Sequence, residues 1–333
     1  MSHSIIVLPD DSARPVLEAI NGATKSLRIK MFVFSDPEVL KTVIAAQKRG
    51  VKVQVMLNPA RRSGEADNEE TRTRLTEGGV EVLDSNPTFD LTHEKSMVVD
   101  DTDAFVKSLN WATENFTETR DYAVVTSRQS EVKEITDCFE ADWSRESFDP
   151  GAGSHLIWCP TNGRDRIAEF IDGARHFLFI QNERYQDPII IERLVRAARR
   201  GVKVHLMARP PHTLKKEKLI EGVGGLRICD DVGVKIHRLK HLKLHAKMIL
   251  ADGVRGIVGS INLAPGSFDS RRELAIEVRD DDVTERLHEV ATDDWENSRP
   301  LDLTDEGLLA DLEGRYSDSA EMLALSEHHH KHK

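Results

Sequence analysis

The chain has 333 residues, with 46 Lys and Arg against 57 Asp and Glu, a formal net charge of −11. At 39% hydrophobic and 31% charged it can bury a real core, which excludes a disordered chain, and its acidity excludes a wholly basic nucleic-acid coat while allowing a local basic groove. Three scattered cysteines (Cys138, Cys159, Cys229) exclude a disulfide framework, no apolar run reaches the roughly 18 residues of a membrane span, and the N-terminus lacks the features of a signal peptide, so a cytoplasmic protein is expected.

In chain order, a helix is predicted over Ala13–Ala23, then a buried strand over Leu27–Phe34, an apolar run bounded by polar residues. Asp36-Pro37 opens a second helix, with Pro in the first turn where its missing N–H is tolerated, and Gly50 closes it. Val51–Leu57 is the next strand. The polar stretch Arg61–Asn68 reads as a loop, followed by a helix over Glu69–Glu77 and a strand over Val80–Leu83. Lys95–Val99 and Ala104–Leu109 are strands joined by the turn Asp100-Asp101-Thr102-Asp103. Asp149–Ser154 is rich in Pro and Gly and reads as a linker.

The order then starts again. Ile20-Asn21-Gly22-Ala23 returns as Ile171-Asp172-Gly173-Ala174, Asp36-Pro37 as Asp187-Pro188, and Arg49-Gly50-Val51-Lys52-Val53 as Arg200-Gly201-Val202-Lys203-Val204. His93-Glu94-Lys95 returns as His245-Ala246-Lys247, and Asp142-Trp143 as Asp294-Trp295. An offset near 151 that keeps its order along the chain marks a duplicated domain. The second copy predicts a helix over Arg166–Ala174 and strands over Phe177–Ile180, Val202–Met207 and Val234–Leu239. Between the last two lies a different insert, Pro210–Gly225, basic and Gly-rich. Alternating strands and helices of this kind predict α/β layers. Residues 300–327 are acidic, weakly helical and without a counterpart, and the terminal His/Lys run is set aside from the fold.

Polar residues recur within the repeat at fixed register. His93, Lys95, Asp100, Ser108, Asn110 and Asp121 fall at 0, +2, +7, +15, +17 and +28 from the His, and so do His245, Lys247, Asp252, Ser260, Asn262 and Glu273. Residues two apart on a strand share a face. Each copy therefore offers an imidazole, an ammonium, a hydroxyl and an amide to one point, a donor set suited to the nonbridging oxygens of a phosphate. The acid at +28 can hold a His ring nitrogen and set its tautomer. If the halves pack with pseudo-twofold symmetry, one imidazole can attack phosphorus while the other protonates the leaving oxygen. The two lysines would supply the neutralising charge that a metal supplies elsewhere, so no metal and no cofactor is expected.

His-x-Lys-x4-Asp, twice, each time followed by Ser-x-Asn, resembles the phospholipase D superfamily over roughly residues 5–297. Val258-Gly259-Ser260-Ile261-Asn262 and Arg272-Glu273-Leu274 make the second copy similar to the cardiolipin-synthase-like branch. The first copy departs in carrying Lys107 where the second has Gly259. The resemblance implies two tandem phospholipase D-like α/β sandwich domains, 1–150 and 151–300, with the active site between them and 301–333 as an acidic extension. It implies a metal-independent phosphodiesterase or phosphatidyltransferase working through a phosphohistidine, with His93 as nucleophile and His245 as acid and base. Asp100 and Asp252 are expected to fix turns.

A phospholipid at a membrane surface is the expected substrate, with Arg209–Gly225 as a docking loop and a monomer sufficient for a complete site. A phospholipase D-family nuclease or nucleic-acid end-processing enzyme is the alternative, disfavoured by the acidic charge and 5% aromatic content. Lys235–Lys247 carries five Lys and Arg and no acid, either a solvated strand face or an anion-attracting mouth. Trp111, Trp143 and Trp295 are expected in the core.

Overall fold

The computed structural model describes residues 2–60, 64–151, 153–214 and 219–314. The first half runs β1 (His3–Leu8), α1 (Arg14–Gly22), β2 (Ser26–Met31), α2 (Pro37–Lys48), β3 (Lys52–Leu57), α3 (Glu69–Glu77) and β4 (Glu81–Asp84). It continues through β5 (Leu91–Thr92), β6 (Ser96–Val99), β7 (Asp103–Lys107), α4 (Thr113–Thr117), β8 (Thr119–Thr126) and α5 (Gln129–Ser144). Asp36 caps α2 by accepting from the Glu38 and Val39 N–H groups, and Gly50 follows the helix at φ +94°, a conformation that favours glycine.

The second half repeats this: β9 (Leu156–Cys159), α6 (Gly163–Asp172), β10 (Phe177–Gln181), α7 (Pro188–Arg199) and β11 (Lys203–Met207). Asp187 caps α7 as Asp36 caps α2. The stretch expected as a different insert, Pro210–Gly225, instead runs into α8 (Leu219–Asp230), which stands in the chain where α3 stands in the first half. Its glycines hid it from a propensity reading. One of them, Gly225, lies so close to Tyr185 that an added Cβ would sit 1.9 Å from the Tyr185 carbonyl. Then come β12 (Lys235–Leu239), β13 (Lys243–Leu244), β14 (Met248–Ala251), β15 (Arg255–Gly259), α9 (Pro265–Asp269), β16 (Arg271–Val278), α10 (Asp281–Glu296) and β17 (Ser298–Pro300). Residues 305–314 are helical, and Asp311 accepts from the His212 backbone N–H, tying this extension to the start of the insert. The rest of the acidic extension and the His/Lys tail lie outside the described residues.

Each half forms one mixed sheet. The first has the order β1-β8-β7-β6-β2-β3-β4 and the second β12-β11-β10-β14-β15-β16, with β17 and β9 at its ends. In each sheet the central pair is parallel (β2 with β3, β10 with β11) and the motif strands are antiparallel to it. The halves meet sheet face to sheet face. One apolar cluster, including Val98, Val106, Tyr122, Phe179, Met248, Val258 and Leu274, draws on both and forms the middle layer. Two further clusters lie under the outer helices of each half. The fold is thus a layered α/β architecture with two related sheets, as the repeat requires. Trp111 is fully buried, whereas Trp143 and Trp295 are only half-buried. Trp295 is stacked between His205 and His237, with ring centroids 4.0 and 3.7 Å away.

The halves are also exchanged at their seam. β5 leaves its own sheet and pairs in parallel with β16, and β13 does the same with β8. These two-residue strands immediately precede His93 and His245, so each motif enters the seam hydrogen-bonded to the opposite half.

Candidate active site

Neither His-x-Lys tripeptide lies on a strand, as the spacing had suggested. His93-Glu94-Lys95 fills the gap between β5 and β6, and His245-Ala246-Lys247 the gap between β13 and β14. Backbone pairing explains the break. The N–H groups of His93 and Glu94 both donate to the Arg272 carbonyl across the seam, and His245 donates to the Arg120 carbonyl. The chain leaves one sheet for the other at the histidine.

This crossing decides which acid serves which histidine. Nδ1 of His93 lies 2.9 Å from Glu273 Oε2 and 3.1 Å from the Ser260 carbonyl. Nδ1 of His245 lies 2.8 Å from Asp121 Oδ1. Each acid therefore holds the histidine of the other half, an assignment the spacing alone left open. A carboxylate and a carbonyl only accept, so His93 must carry its proton on Nδ1 and present the Nε2 lone pair to the site. Burial pushes the His93 imidazolium down to about 3 despite Glu273, so the ring is neutral at physiological pH.

Ser108 and Ser260, expected to bind phosphate, are placed otherwise. Both are fully buried; Ser108 Oγ donates to Asp121 at 2.6 Å and Ser260 Oγ to Glu273 at 2.7 Å. Each also accepts from a backbone N–H on the neighbouring strand, at Tyr122 or Leu274. The hydroxyls are committed to holding the acids, so they position the acid that positions the histidine. Thr119 and Asn115 add two more donors to Asp121. Asn110 and Asn262 follow β7 and β15, and each keeps a buried amide oxygen with no partner among the described residues. An amide oxygen only accepts, so it is the side-chain NH2 group of each that can donate to a phosphate.

The lysines differ. Lys95 Nζ donates to the His93 carbonyl at 2.7 Å and lies 5.2 Å from the centre of the Phe32 ring. Burial and then the like charge of Lys247 lower it to about 7. Lys247 Nζ donates to the His245 carbonyl and, at 2.7 Å, to Glu183. Asp100 and Asp252 lie at the far ends of β6 and β14, at φ +53° and +54°. Each accepts from three consecutive backbone N–H groups at the start of β2 or β10, which ties the turn to the sheet away from the site.

Sequence reasoning missed Glu183 and Phe32. They occupy the same register of the repeat, directly beyond β10 and β2. Only the difference between them signals a role, and a search for shared residues passes over differences. Of the basic stretch, Lys235, Lys240, His241 and Lys243 are exposed, but Lys243 is ion-paired to Glu114 and Glu118 and Lys247 belongs to the site.

Lys107 is fully buried, its ammonium 4.0 Å from the Trp111 ring centre and without a hydrogen-bond partner among the described residues. Burial, and then Lys95, push it well below its usual range. At Gly259 in the second half, a side chain would strike the Leu274 carbonyl at 2.3 Å. Lys107→Met keeps the volume and removes an unsatisfied polar group, so it should raise unfolding stability by about 1–3 kcal/mol. Lys107→Gly should lower it by about 2–5 kcal/mol through the cavity left. Urea denaturation of both variants checks this; a stable glycine variant would show that the site collapses freely.

The profile of the family described as "Cardiolipin synthase, PLD-like domain" matches residues 16–143 and again residues 167–295. The chain belongs to this phospholipase D-like family. Cardiolipin synthase B of Escherichia coli (strain K12) is 26% identical over 325 residues, covering 82% of this chain and 75% of that protein. A polyphosphate kinase of Vibrio cholerae is 24% identical over 284 residues, covering 80% of this chain but 39% of that protein. The crystal structure of phosphatidylserine synthase from Haemophilus influenzae Rd KW20 superposes with a TM-score of 0.70 over 96% of this chain and 94% of that one, at 10% identity. At that identity the likeness shows the fold alone. The chain is an enzyme of the phospholipase D type, carrying the family's domain twice.

Proposed function

We propose that the protein transfers or hydrolyses phosphatidyl groups of phospholipids through a phosphohistidine on His93. The observation that carries this reading is the pair of histidines, each oriented by an acid of the opposite half, with two lysines beside them. Neutral His93 presents Nε2 to phosphorus. As the N–P bond forms, the P–O bond to the head-group alcohol breaks, and that oxygen takes the proton of His245 Nε2. In the second step water or an alcohol returns its proton to His245, attacks phosphorus and releases His93. Lys95 and Lys247 hold the nonbridging oxygens throughout. Asn110 and Asn262 complete the phosphate cradle.

A relative's name points to the same chemistry: cardiolipin synthase B names a phospholipid. Among the described residues no helix is long and apolar enough to cross a membrane; action on a phospholipid would bring the enzyme to the bilayer surface. One chain supplies both histidines, so a monomer suffices. Of the Arg209–Gly225 segment, Arg209 is paired with Glu183 and Val223 packs inward, while residues 215–218 lie outside the described residues.

Liposomes of phosphatidylglycerol or phosphatidylcholine incubated with the protein in EDTA should yield phosphatidic acid or cardiolipin by mass spectrometry. Activity lost to EDTA would refute the metal-free mechanism. No lipid product, with plasmid nicking in its place, would move the substrate to nucleic acid.

A further inference from the structure

The two halves of the site are not equivalent, and one inequality falls on the repeat position of Phe32 and Glu183. Beside His93 and Lys95 stands Phe32, its ring edge-on to the imidazole at 4.8 Å between centroids. Beside His245 and Lys247 stands Glu183. One of its carboxylate oxygens is 2.7 Å from Lys247 Nζ and 3.9 Å from His245 Nε2, the nitrogen that faces the reacting oxygen. The other is 3.3 Å from Arg209.

Glu183 is held in place rather than placed by chance. The preceding Asn182 is fixed by the Ile261 carbonyl and the Leu263 N–H. Tyr185, two residues on, donates to the Met207 carbonyl at 2.7 Å and packs under Gly225. Lys247, His245 and Arg209 hold the carboxyl well below its usual range against the cost of burial, so it stays ionised. An ionised carboxylate only accepts hydrogen bonds. Neutralising Lys247 does not by itself account for it, since a phosphodiester brings its own negative charge to the same ammonium.

We propose that Glu183 is the specificity residue for the alcohol that leaves and enters at His245, accepting a hydrogen bond from a second donor on that alcohol, a hydroxyl or an ammonium. The inference rests on the phosphodiester chemistry proposed above. There the scissile oxygen lies at His245, so the alcohol's remaining atoms extend past Glu183, while the retained apolar part of the substrate lies on the Phe32 side. Selection follows because an alcohol with no second donor leaves the carboxylate without a partner from the ligand.

The test is competition for the phosphatidyl intermediate. With a short-chain phosphatidylglycerol donor in EDTA, whose leaving alcohol carries a second hydroxyl, deuterated glycerol, ethanolamine and 1-propanol are offered as acceptors against water. The wild type should favour glycerol or ethanolamine over 1-propanol, and Glu183→Gln should reduce that preference roughly 10- to 100-fold. Glu183→Asp should restore part of it. Preference for glycerol alone identifies a hydroxyl, and for ethanolamine alone an ammonium. If Glu183→Gln changes transfer to all three acceptors and hydrolysis by one common factor, Glu183 is only a counter-ion to Lys247 and the proposal is wrong. A wild type that releases nothing from the donor would instead overturn the phospholipid reading, and this inference with it.

Discussion

His93→Asn should abolish turnover and covalent labelling together, whereas His245→Asn should abolish turnover of an ordinary ester and still let the label form. The difference comes from the leaving group. A lipid head-group alkoxide must be protonated as it departs, and in the mechanism proposed above His245 Nε2 supplies that proton. A p-nitrophenyl phosphodiester departs without that proton. With it, His245→Asn should form the phosphoryl-enzyme and stall there, because no base remains to activate water. Both variants should lose turnover on phospholipid by on the order of 10⁴-fold with far-ultraviolet circular dichroism unchanged. Acid quench and peptide mass spectrometry locate the label. Label on His245, or a burst from His93→Asn, would exchange the two roles. Glu273→Gln should resemble His93→Asn, because Glu273 across the seam sets the tautomer that frees Nε2. If Asp121→Asn were the variant that blocked labelling, the cross-half assignment would be reversed in function.

The duplication, the α/β layering and the motif residues were legible because they recur. A strict register at His, Lys, Asp, Ser, Asn and the distal acid can be read without a structure. Three features were not legible, for separate reasons. The pairing of Glu273 with His93 depends on β5 and β13 crossing between sheets, a long-range choice that no local pattern encodes. The serines were read as phosphate donors because a hydroxyl two residues from an amide looks like one, and only burial shows that they serve the acids. Helix α8 was read as an insert because Gly222, Gly224 and Gly225 argue against a helix. Tertiary packing overrides that propensity, and Gly225 is what lets the helix approach the loop carrying Glu183.

The repeat also allows a stability experiment in which one half supplies the control for the other. Arg272 forks onto Asp142 at 2.9 and 3.0 Å, and Arg120 onto Asp294 at 2.9 and 2.8 Å. These two pairs fasten each half to the other's last helix, one residue before the acid that holds each histidine. Around Asp294 the remaining partner is neutral, with Gln181 donating at 2.6 Å. Around Asp142 the same position is Lys30, which donates at 2.8 Å to Asp142 and at 2.8 Å to Glu94. Glu94 stands where the second half has Ala246. The first half thus holds an extra buried ammonium and an extra buried carboxylate that cancel. Lys30→Gln alone should leave the buried Glu94 without its cation, with only Ser96 donating to it, and Glu94→Ala alone should leave Lys30 and Arg272 sharing the single charge of Asp142, each costing about 3–5 kcal/mol. The double variant copies the second half and should cost less than either single one, a coupling of roughly 2–3 kcal/mol in a urea double-mutant cycle. Additive losses would show that the two charges do not act as a pair. Acid titration gives a second reading of the same cluster. Burial alone would raise the Asp142 carboxyl, but Lys30 and Arg272 outweigh it and hold it at about 2. Its contribution is therefore complete above the ordinary carboxylate range and is lost only as the pH falls toward about 2. Lys30→Gln should move that loss to higher pH, because one of the two cations that hold Asp142 ionised is gone.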